Sequence, residues 1–465
     1  MTVHFPYRFK QLLLAVGDLA CYALGFYVSL ALRYLAIPTP WQLREHIPLF
    51  TIVFFLWIII NYINGLYDLE RHANTVPFYR RLAETTLFSL TVSVIFFYLL
   101  PDARIAPKTI LLLNIAFGYT LAALWRLAYN AFIQPQALQT NVILVGYTPE
   151  TQEIIDMLMR HPEKGYRVAA LIDPDQEYKA AAPPGVTIYH GLATIRPAIT
   201  TYHADIVVVA PHLHQNAAAL RELYELLFWP IHITDLTSFY ESITGRIPPS
   251  TFSEAWFLEH LRRREHPIYD HIRTLGDYLA ILLMGAVLIV LYPFIWIGIK
   301  LSSPGPILIR QRRIGYSGKI FTLYKFRSMY ALSPDGSAEV HGVQFAQKQD
   351  NRVTAVGKIL RKTRLDELPQ VWNLLKRDVT LIGPRPERPE IVKELETRMP
   401  YYPLRHMVRP GLTGWALIHQ NYTDDYDSSL KKLQYDLYYI KNRSWLLDVQ
   451  VILRSINVIV RLMGQ

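Results

Sequence analysis

Tyr278-Leu-Ala-Ile-Leu-Leu-Met-Gly-Ala-Val-Leu-Ile-Val-Leu-Tyr-Pro-Phe-Ile-Trp-Ile-Gly-Ile299 is an uncharged apolar run. Its length is that of one bilayer crossing, roughly 20 residues. A full crossing would put everything after it on the far side of a membrane. Two features argue against that. Arg262, Arg263, Arg264 and Arg273 precede the run, and Lys300, Arg310, Arg312 and Arg313 follow it. Positive residues on both flanks favour two cytoplasmic ends. Pro293 also interrupts the run, and a proline inside a helix costs about 3 kcal/mol through a lost hydrogen bond and a steric clash. A bend there lets a helix dip into one leaflet and return, provided that protein satisfies the freed backbone groups. The expectation is a re-entrant helix over 275–301 broken at Pro293, with a kinked transmembrane helix as the competing reading.

Four further apolar stretches lie upstream: Gln11–Leu32, Leu49–Leu66, Leu82–Leu100 and Ile110–Ile133. Each is long enough to span a bilayer. Breaker residues separate them, at Ile37-Pro-Thr-Pro40 and at Pro101, Asp102 and Pro107. Arg8, Lys10, Arg71, Arg80 and Arg81 place the chain start and the second linker on the cytoplasmic side. The first run is too long for a cleavable signal, and no small-residue cleavage site follows it. Asp18 and Arg126 are charges within spans; a structural pair is the plainer reading, a functional site the sharper one.

The composition agrees with a membrane protein. Of 465 residues, 51% are hydrophobic and only 18% charged, with a net charge of +10. That balance suits an anionic membrane surface or a phosphorylated substrate. The single cysteine, Cys21, excludes an intrachain disulfide and a cysteine zinc site.

Residues 137–250 alternate between strand and helix patterns, implying a parallel sheet. Asn141–Gly146, Val168–Ile172, Asp205–Ala210 and Ile231–Ile233 are the expected strands. A helix over Thr148–Arg160 starts at an N-cap Thr148, and another lies near Ala217–Leu227. The order suggests a Rossmann-like unit with a poor fingerprint: the turn Gly146-Tyr-Thr-Pro-Glu150 has one glycine where three are wanted. Asp173-Pro-Asp175 reads as a strand-end cap before it reads as a metal motif. His212 and His214, two apart, read as loop residues before metal ligands.

Chemistry concentrates after the long apolar run. Leu301-Ser-Ser-Pro-Gly-Pro306, Arg310-Gln-Arg-Arg-Ile-Gly315 and Lys325-Phe-Arg-Ser-Met329 come first. A flexible loop is expected over Ala331–Asp350. Leu360-Arg-Lys-Thr-Arg-Leu-Asp-Glu-Leu-Pro-Gln370, Gly383-Pro-Arg-Pro386, Arg409-Pro-Gly-Leu-Thr-Gly-Trp415 and Tyr435-Asp-Leu-Tyr-Tyr439 follow. Adjacent carboxylates Asp366 and Glu367 cannot share one helix face, but a helix start or a bend near Pro369 lets them face one cation. Two carboxylates with substrate phosphates are a usual magnesium environment. Arg361, Arg385 and Lys325 suit phosphoryl oxygens, arginine through its bidentate fork.

From about Thr274 onward this ordered set resembles the bacterial sugar transferase family, the monotopic phosphoglycosyl transferases. The upstream part, with Tyr240-Glu-Ser-Ile-Thr-Gly-Arg-Ile-Pro248, resembles the enlarged subfamily that initiates exopolysaccharide or O-antigen synthesis. The resemblance implies three parts: a four-helix membrane bundle (1–136), a Rossmann-like domain (137–250), and an α+β transferase domain (274–465) after a linker (251–273). It implies transfer of a sugar-1-phosphate from a UDP-sugar to polyprenyl phosphate at the cytoplasmic face of the bacterial inner membrane. Asp366 would be the nucleophile, Glu367 the magnesium ligand, and Arg361, Arg385, Lys325 and Arg313 substrate-binding residues. Nucleic acid is not an expected partner, and the large N-terminal region is compatible with a homodimer. A membrane scaffold with an inactive transferase part, a nicotinamide-dependent sugar-modifying enzyme, and direct attack by the lipid phosphate are the competing readings. Residues Trp415–Asp427 are candidates for the sugar pocket, and Val449–Met463, with Arg454 and Arg461, for an interfacial helix, with a plain core helix as the competing reading.

Overall fold

A computed structural model describes residues 7–67, 76–99, 108–133, 139–261, 267–331, 352–420 and 425–460. The expected loop beyond Ala331 lies outside the described residues. So do Arg71, Pro101, Asp102, Pro107, Arg262, Arg263, Arg264 and Arg461. The chain divides into two units, Met1–Phe239 and Tyr240–Gln465.

The first unit opens with four long helices: α1 (Tyr7–Tyr34), α2 (Pro40–Ile63), α3 (Val76–Leu99) and α4 (Lys108–Ile133). α2 starts before its apolar run because Thr39 and Gln42 form a reciprocal capping box and Pro40 fits the first turn. α1 and α4 approach closely through small residues: a Cβ on Gly25 would lie 2.7 Å from the Gly118 nitrogen. Aromatic side chains fill the bundle, with Tyr22, Phe26, Phe50, Trp57 and Tyr119 all buried.

The two intraspan charges meet. Arg126 pairs with Asp18, and both are fully buried. Arg126 also donates to the Leu66 carbonyl at 2.7 Å, and the Tyr67 hydroxyl donates to Asp18 at 2.9 Å. The pair therefore ties α1 to α4 and to the end of α2. This is the structural reading of Asp18 and Arg126.

A five-stranded parallel sheet follows, ordered β3-β2-β1-β4-β5. Its strands are β1 (Thr140–Val145), β2 (Tyr166–Ile172), β3 (Thr187–Tyr189), β4 (Ile206–Val209) and β5 (His232–Asp235). Helices α5 (Pro149–Arg160), α6 (Ile195–Tyr202) and α7 (Ala217–Leu226) connect them. Thr148 caps α5, accepting from the Thr151 amide. Asp173 closes the turn after β2 by accepting from the Tyr178 amide at 2.7 Å. His212 and His214 lie in a short 3-10 helix, Pro211–Gln215, not on a strand; Pro211 ends the strand pattern. The unit boundary falls within α8 (Leu236–Thr244).

In the second unit, residues from Tyr240 to Leu261 pack with the C-terminal chain. Ile247, Phe257 of α9 (Glu254–His260) and Leu261 share a core with Tyr402, Leu433 and Leu437. Next comes α10 (Pro267–Ser302), one continuous helix that runs through Pro293. The proline does not end it. In an apolar stretch each abandoned backbone bond is costly, so the helix continues past the missing N–H. The inner face of α10, from Met284 through Leu288, Leu291 and Ile295 to Ile299, packs on Phe326, Leu360 and Leu368. Its other face leaves Leu282, Ile289, Val290, Phe294 and Leu301 exposed. By length and composition, Gln11–Tyr34, Pro40–Ile63, Thr109–Tyr129 and Ile268–Ser302 are long and apolar enough to cross a membrane; α3, which holds most of the expected span Leu82–Leu100, is not among them.

The Asp18→Asn variant leaves Arg126 buried without its counter-charge. It should destabilise the bundle by about 3–5 kcal/mol, read as a fall in the midpoint of thermal unfolding in detergent. An unchanged midpoint would remove the pair from the account of bundle stability.

Candidate active site

The site grows from an antiparallel hairpin, β6 (Leu308–Ile314) and β7 (Ile320–Phe326). Lys325 is next to last on β7. Strand exit is fixed by Arg327, which is 1% exposed. Its guanidinium donates to the carbonyls of Pro304 at 2.6 Å and Ser303 at 2.7 Å. These carbonyls lie just past the C-terminal end of α10, where the chain has no helical donors for them. Gly305 makes room: at φ +121° it sits where a Cβ would overlap the Arg327 guanidinium.

Helix α11 (Ala355–Lys362) is capped by Thr354, which accepts from the Gly357 amide at 2.9 Å. A Cβ on Gly357 would collide with the Ser328 carbonyl, so only glycine lets α11 lie against the β7 exit. Arg361, in its last turn, donates through Nε to the Ser328 hydroxyl at 2.9 Å. Arg364 then takes a left-handed conformation, φ 58°. For a non-glycine residue that conformation is strained, and surrounding contacts must hold it. It ends α11 and opens a short 3-10 helix, Leu365–Gln370, that carries Asp366 and Glu367. The expected bend is thus made at Arg364, ahead of Pro369.

Glu367 is the convergence point. Its Oε1 accepts from Arg385 Nη2 at 2.7 Å and from Lys325 Nζ at 2.9 Å, and Arg364 lies 3.8 Å away. Burial alone would raise its pKa, but Arg385 and Lys325 outweigh burial and hold it well below the usual carboxylate range. Asp366 is 8% exposed and accepts no hydrogen bond from the described residues. Burial pushes its carboxyl up; Lys325 opposes this, and the charge on Glu367 adds to it. Burial also lowers Lys325, against the pull of Glu367. Two neighbouring carboxylates thus sit in environments that separate their proton affinities, a pattern of sites with divided roles.

The structure therefore brings together Asp366, Glu367, Lys325 and Arg385. Arg361 bonds Ser328, and its charge also acts on Asp366. Arg313 is engaged elsewhere, donating to the Pro386 carbonyl at 3.1 Å and lying 3.8 Å from Glu387. Glu387 in turn pairs with Lys432 of α15 (Tyr426–Asn442). Buried Arg405 reaches the Arg385 carbonyl and Asp436. Sequence reasoning missed Arg405, Glu387 and Lys432. The signals available were a charge directly after Gly383-Pro-Arg-Pro386 and an arginine among the apolar and aromatic residues 401–408. The remaining elements are α12 (Val371–Leu375), β8 (Thr380–Ile382), α13 (Pro389–Arg398), β9 (Gly411–Thr413), α14 (Trp415–His419) and α16 (Trp445–Val460). The sugar-pocket candidates 421–424 lie outside the described residues.

The donor set is chemically suited to magnesium. Two carboxylates supply hard oxygen, and magnesium takes its other ligands from water and substrate phosphates. Glu367 Oε1 is already shared by two cations, so a metal would meet its other oxygen. Among the described residues no three acidic, histidine or cysteine side chains gather, so substrate oxygens would complete the shell.

The family model for "Bacterial sugar transferase" matches residues 268–462. The chain is 37% identical over 177 residues to an exopolysaccharide production protein PSS of Rhizobium leguminosarum bv. phaseoli, covering 36% of this chain and 86% of that relative. The chain belongs to the bacterial sugar transferase family. Another member is a UDP-N-acetylgalactosamine-undecaprenyl-phosphate N-acetylgalactosaminephosphotransferase of Aeromonas hydrophila, 41% identical over 47% of this chain and 50% of the relative. A UDP-glucose:undecaprenyl-phosphate glucose-1-phosphate transferase of Xanthomonas campestris pv. campestris is 40% identical over 36% of this chain and 34% of its own length. The match thus spans half or less of these two transferases.

The Glu387 cluster sets an acid limit. Burial would raise its pKa, yet Lys432, Arg405 and Arg313 hold it at about 2, below its ordinary 4.5. A depressed folded pKa means that the stabilisation is complete above the ordinary value and is lost as pH falls toward 2. The shift corresponds to at most about 3 kcal/mol. The unfolding midpoint in detergent should therefore fall between pH 5 and pH 3 by less in Glu387→Gln than in the unaltered protein. Equal losses would show that the cluster does not govern acid stability.

Proposed function

We propose that this chain transfers a sugar-1-phosphate from a UDP-sugar to polyprenyl phosphate, releasing UMP and forming a polyprenyl-diphosphate-sugar. The observation that carries the reading is the gathering of Asp366 and Glu367 on one strained turn with Lys325 and Arg385. Family membership and the names of its relatives support it. Asp366 accepts no hydrogen bond from the described residues, which leaves its oxygen lone pairs open to a phosphorus.

In the first step an Asp366 oxygen attacks the sugar-linked phosphorus. The bond from that phosphorus to the bridging oxygen breaks, and UMP leaves with the electron pair. In the second step an oxygen of polyprenyl phosphate attacks the same phosphorus, and the Asp366–phosphorus bond breaks to restore the carboxylate. Each step makes and breaks one P–O bond, so the reaction is divided into two displacements. Arg385 and Lys325 oppose the phosphoryl charge, and arginine's planar fork matches two oxygens. Arg361, whose charge acts on Asp366, joins them, while Arg313 is held on the Pro386 carbonyl next to Arg385. Magnesium, held by Glu367 with substrate oxygens, would neutralise charge on the transferring group.

The same reading places the catalytic unit at the cytoplasmic face of the inner membrane, with α10 dipping into one leaflet and bending at Pro293. The parallel sheet of the first unit is Rossmann-like by its strand order. Its single-glycine turn supports a structural or regulatory role, and a homodimer fits the arrangement.

The test is UMP release from candidate UDP-sugars by purified protein. Without lipid acceptor, a burst of up to about one equivalent per site is expected. Asp366→Asn should abolish the burst. Glu367→Gln should keep a residual activity that rises with added magnesium. Turnover that needs both substrates before any UMP appears would favour direct attack by the lipid phosphate.

Topology has its own test. Single cysteines at Asp270 and Ser317, in a background without Cys21, should both resist an impermeant thiol reagent applied outside intact cells. Labelling at Ser317→Cys alone would mean that α10 crosses the bilayer.

A further inference from the structure

Arg385 lies between Pro384 and Pro386. Neither neighbour has an N–H, and the following proline restricts Arg385 to extended backbone. The loop is held through carbonyls: that of Pro384 accepts from the Gly411 amide, that of Pro386 from Arg313, and the Arg385 carbonyl is the point at which the residue itself is held. Arg405 holds it there. It is 2% exposed, and its Nη2 donates to the Arg385 carbonyl at 2.9 Å and to Asp436 at 2.7 Å. Its Nη1 donates to the Tyr402 hydroxyl at 2.5 Å and lies 4.0 Å from Glu387. A side chain so buried does not meet substrate. It clamps the backbone from which the Arg385 guanidinium reaches Glu367.

We propose that Arg405 is a positioning residue that aims Arg385 at the transferring phosphoryl group by holding the Arg385 carbonyl. This rests on Arg385 contacting phosphate, as the proposed function has it. A fork must be aimed to be bidentate, and a displacement of about 1 Å can cost about a hundredfold in rate. Lysine at 405 keeps the charge but cannot bond Asp436, Tyr402 and the carbonyl in one plane.

The experiment is a double-mutant cycle on full-length protein in lipid nanodiscs. The donor is whichever of UDP-glucose, UDP-galactose, UDP-N-acetylglucosamine or UDP-N-acetylgalactosamine the unaltered chain turns over, with undecaprenyl phosphate as acceptor. Arg405→Lys should lower kcat/KM for the donor by about ten- to a hundredfold. In an Arg385→Ala background the same change should cost less than about twofold, because what Arg405 positions is gone. Structural damage would instead add fully in both backgrounds. Tyr402→Phe removes one acceptor and keeps the Asp436 pair, and it serves if Arg405→Lys does not fold. Its smaller loss should vanish in the same way. Additive losses, or unaltered kinetics in the Arg405 and Tyr402 variants, overturn the positioning role alone. An Arg385→Ala enzyme with normal turnover, or no donor used by the unaltered chain, overturns the phosphate contact and the positioning with it.

Discussion

One carboxylate, Glu367, gathers the site. Its Oε1 accepts from Lys325 and Arg385, which come from a strand and from a proline-flanked loop far apart in the chain. Two cations this close repel each other without an anion between them. With Glu367 present, they are held side by side. Glu367 can stand there only because Arg364 adopts a left-handed backbone that turns the chain out of α11. Strain at such a position persists where surrounding contacts over-determine it. Here those contacts include Leu365 and Leu368 in the core beneath α10.

The same core couples the site to the apolar helix. The face of α10 from Met284 to Ile299 packs on Phe326, Leu360 and Leu368. Arg327 locks the helix end by bonding the Ser303 and Pro304 carbonyls. Lys325 and Ser328, on either side of Arg327, hold Glu367 and Arg361. A short segment therefore links the end of an exposed apolar helix to the carboxylate turn. In the proposed reaction, where a water-soluble donor meets a lipid acceptor, such a link would hold the carboxylate turn near the membrane surface.

Much of this was legible in the sequence. The apolar runs became α1 to α4 and α10, since a bilayer-length run has few alternatives to a helix. The strands Asn141–Gly146 and Val168–Ile172 were legible from their uninterrupted apolar character. Asp366, Glu367, Lys325 and Arg385 were legible because charge so dense after an apolar helix has little structural reason. What was not legible came from tertiary contact. Apolar and aromatic neighbours hint that Arg405 is not a surface arginine, but only the fold shows that it is buried beside Asp436. Arg313 resembled the other basic residues of its run, yet its position on β6 turns it to Pro386 and Glu387. α10 stays helical through Pro293, so a return to the same membrane face would have to be a bend there and not a break.

The central claim is that Asp366 forms the bond to phosphorus while Glu367 organises the cations around it. The most direct measurement is peptide mass spectrometry of the protein quenched after exposure to a UDP-sugar with no lipid acceptor. The account predicts a sugar-phosphate adduct on the peptide containing Leu365-Asp-Glu-Leu368, fragmenting to Asp366 and lost on addition of polyprenyl phosphate. An adduct on Glu367, or none in an enzyme that turns over with acceptor present, would contradict it.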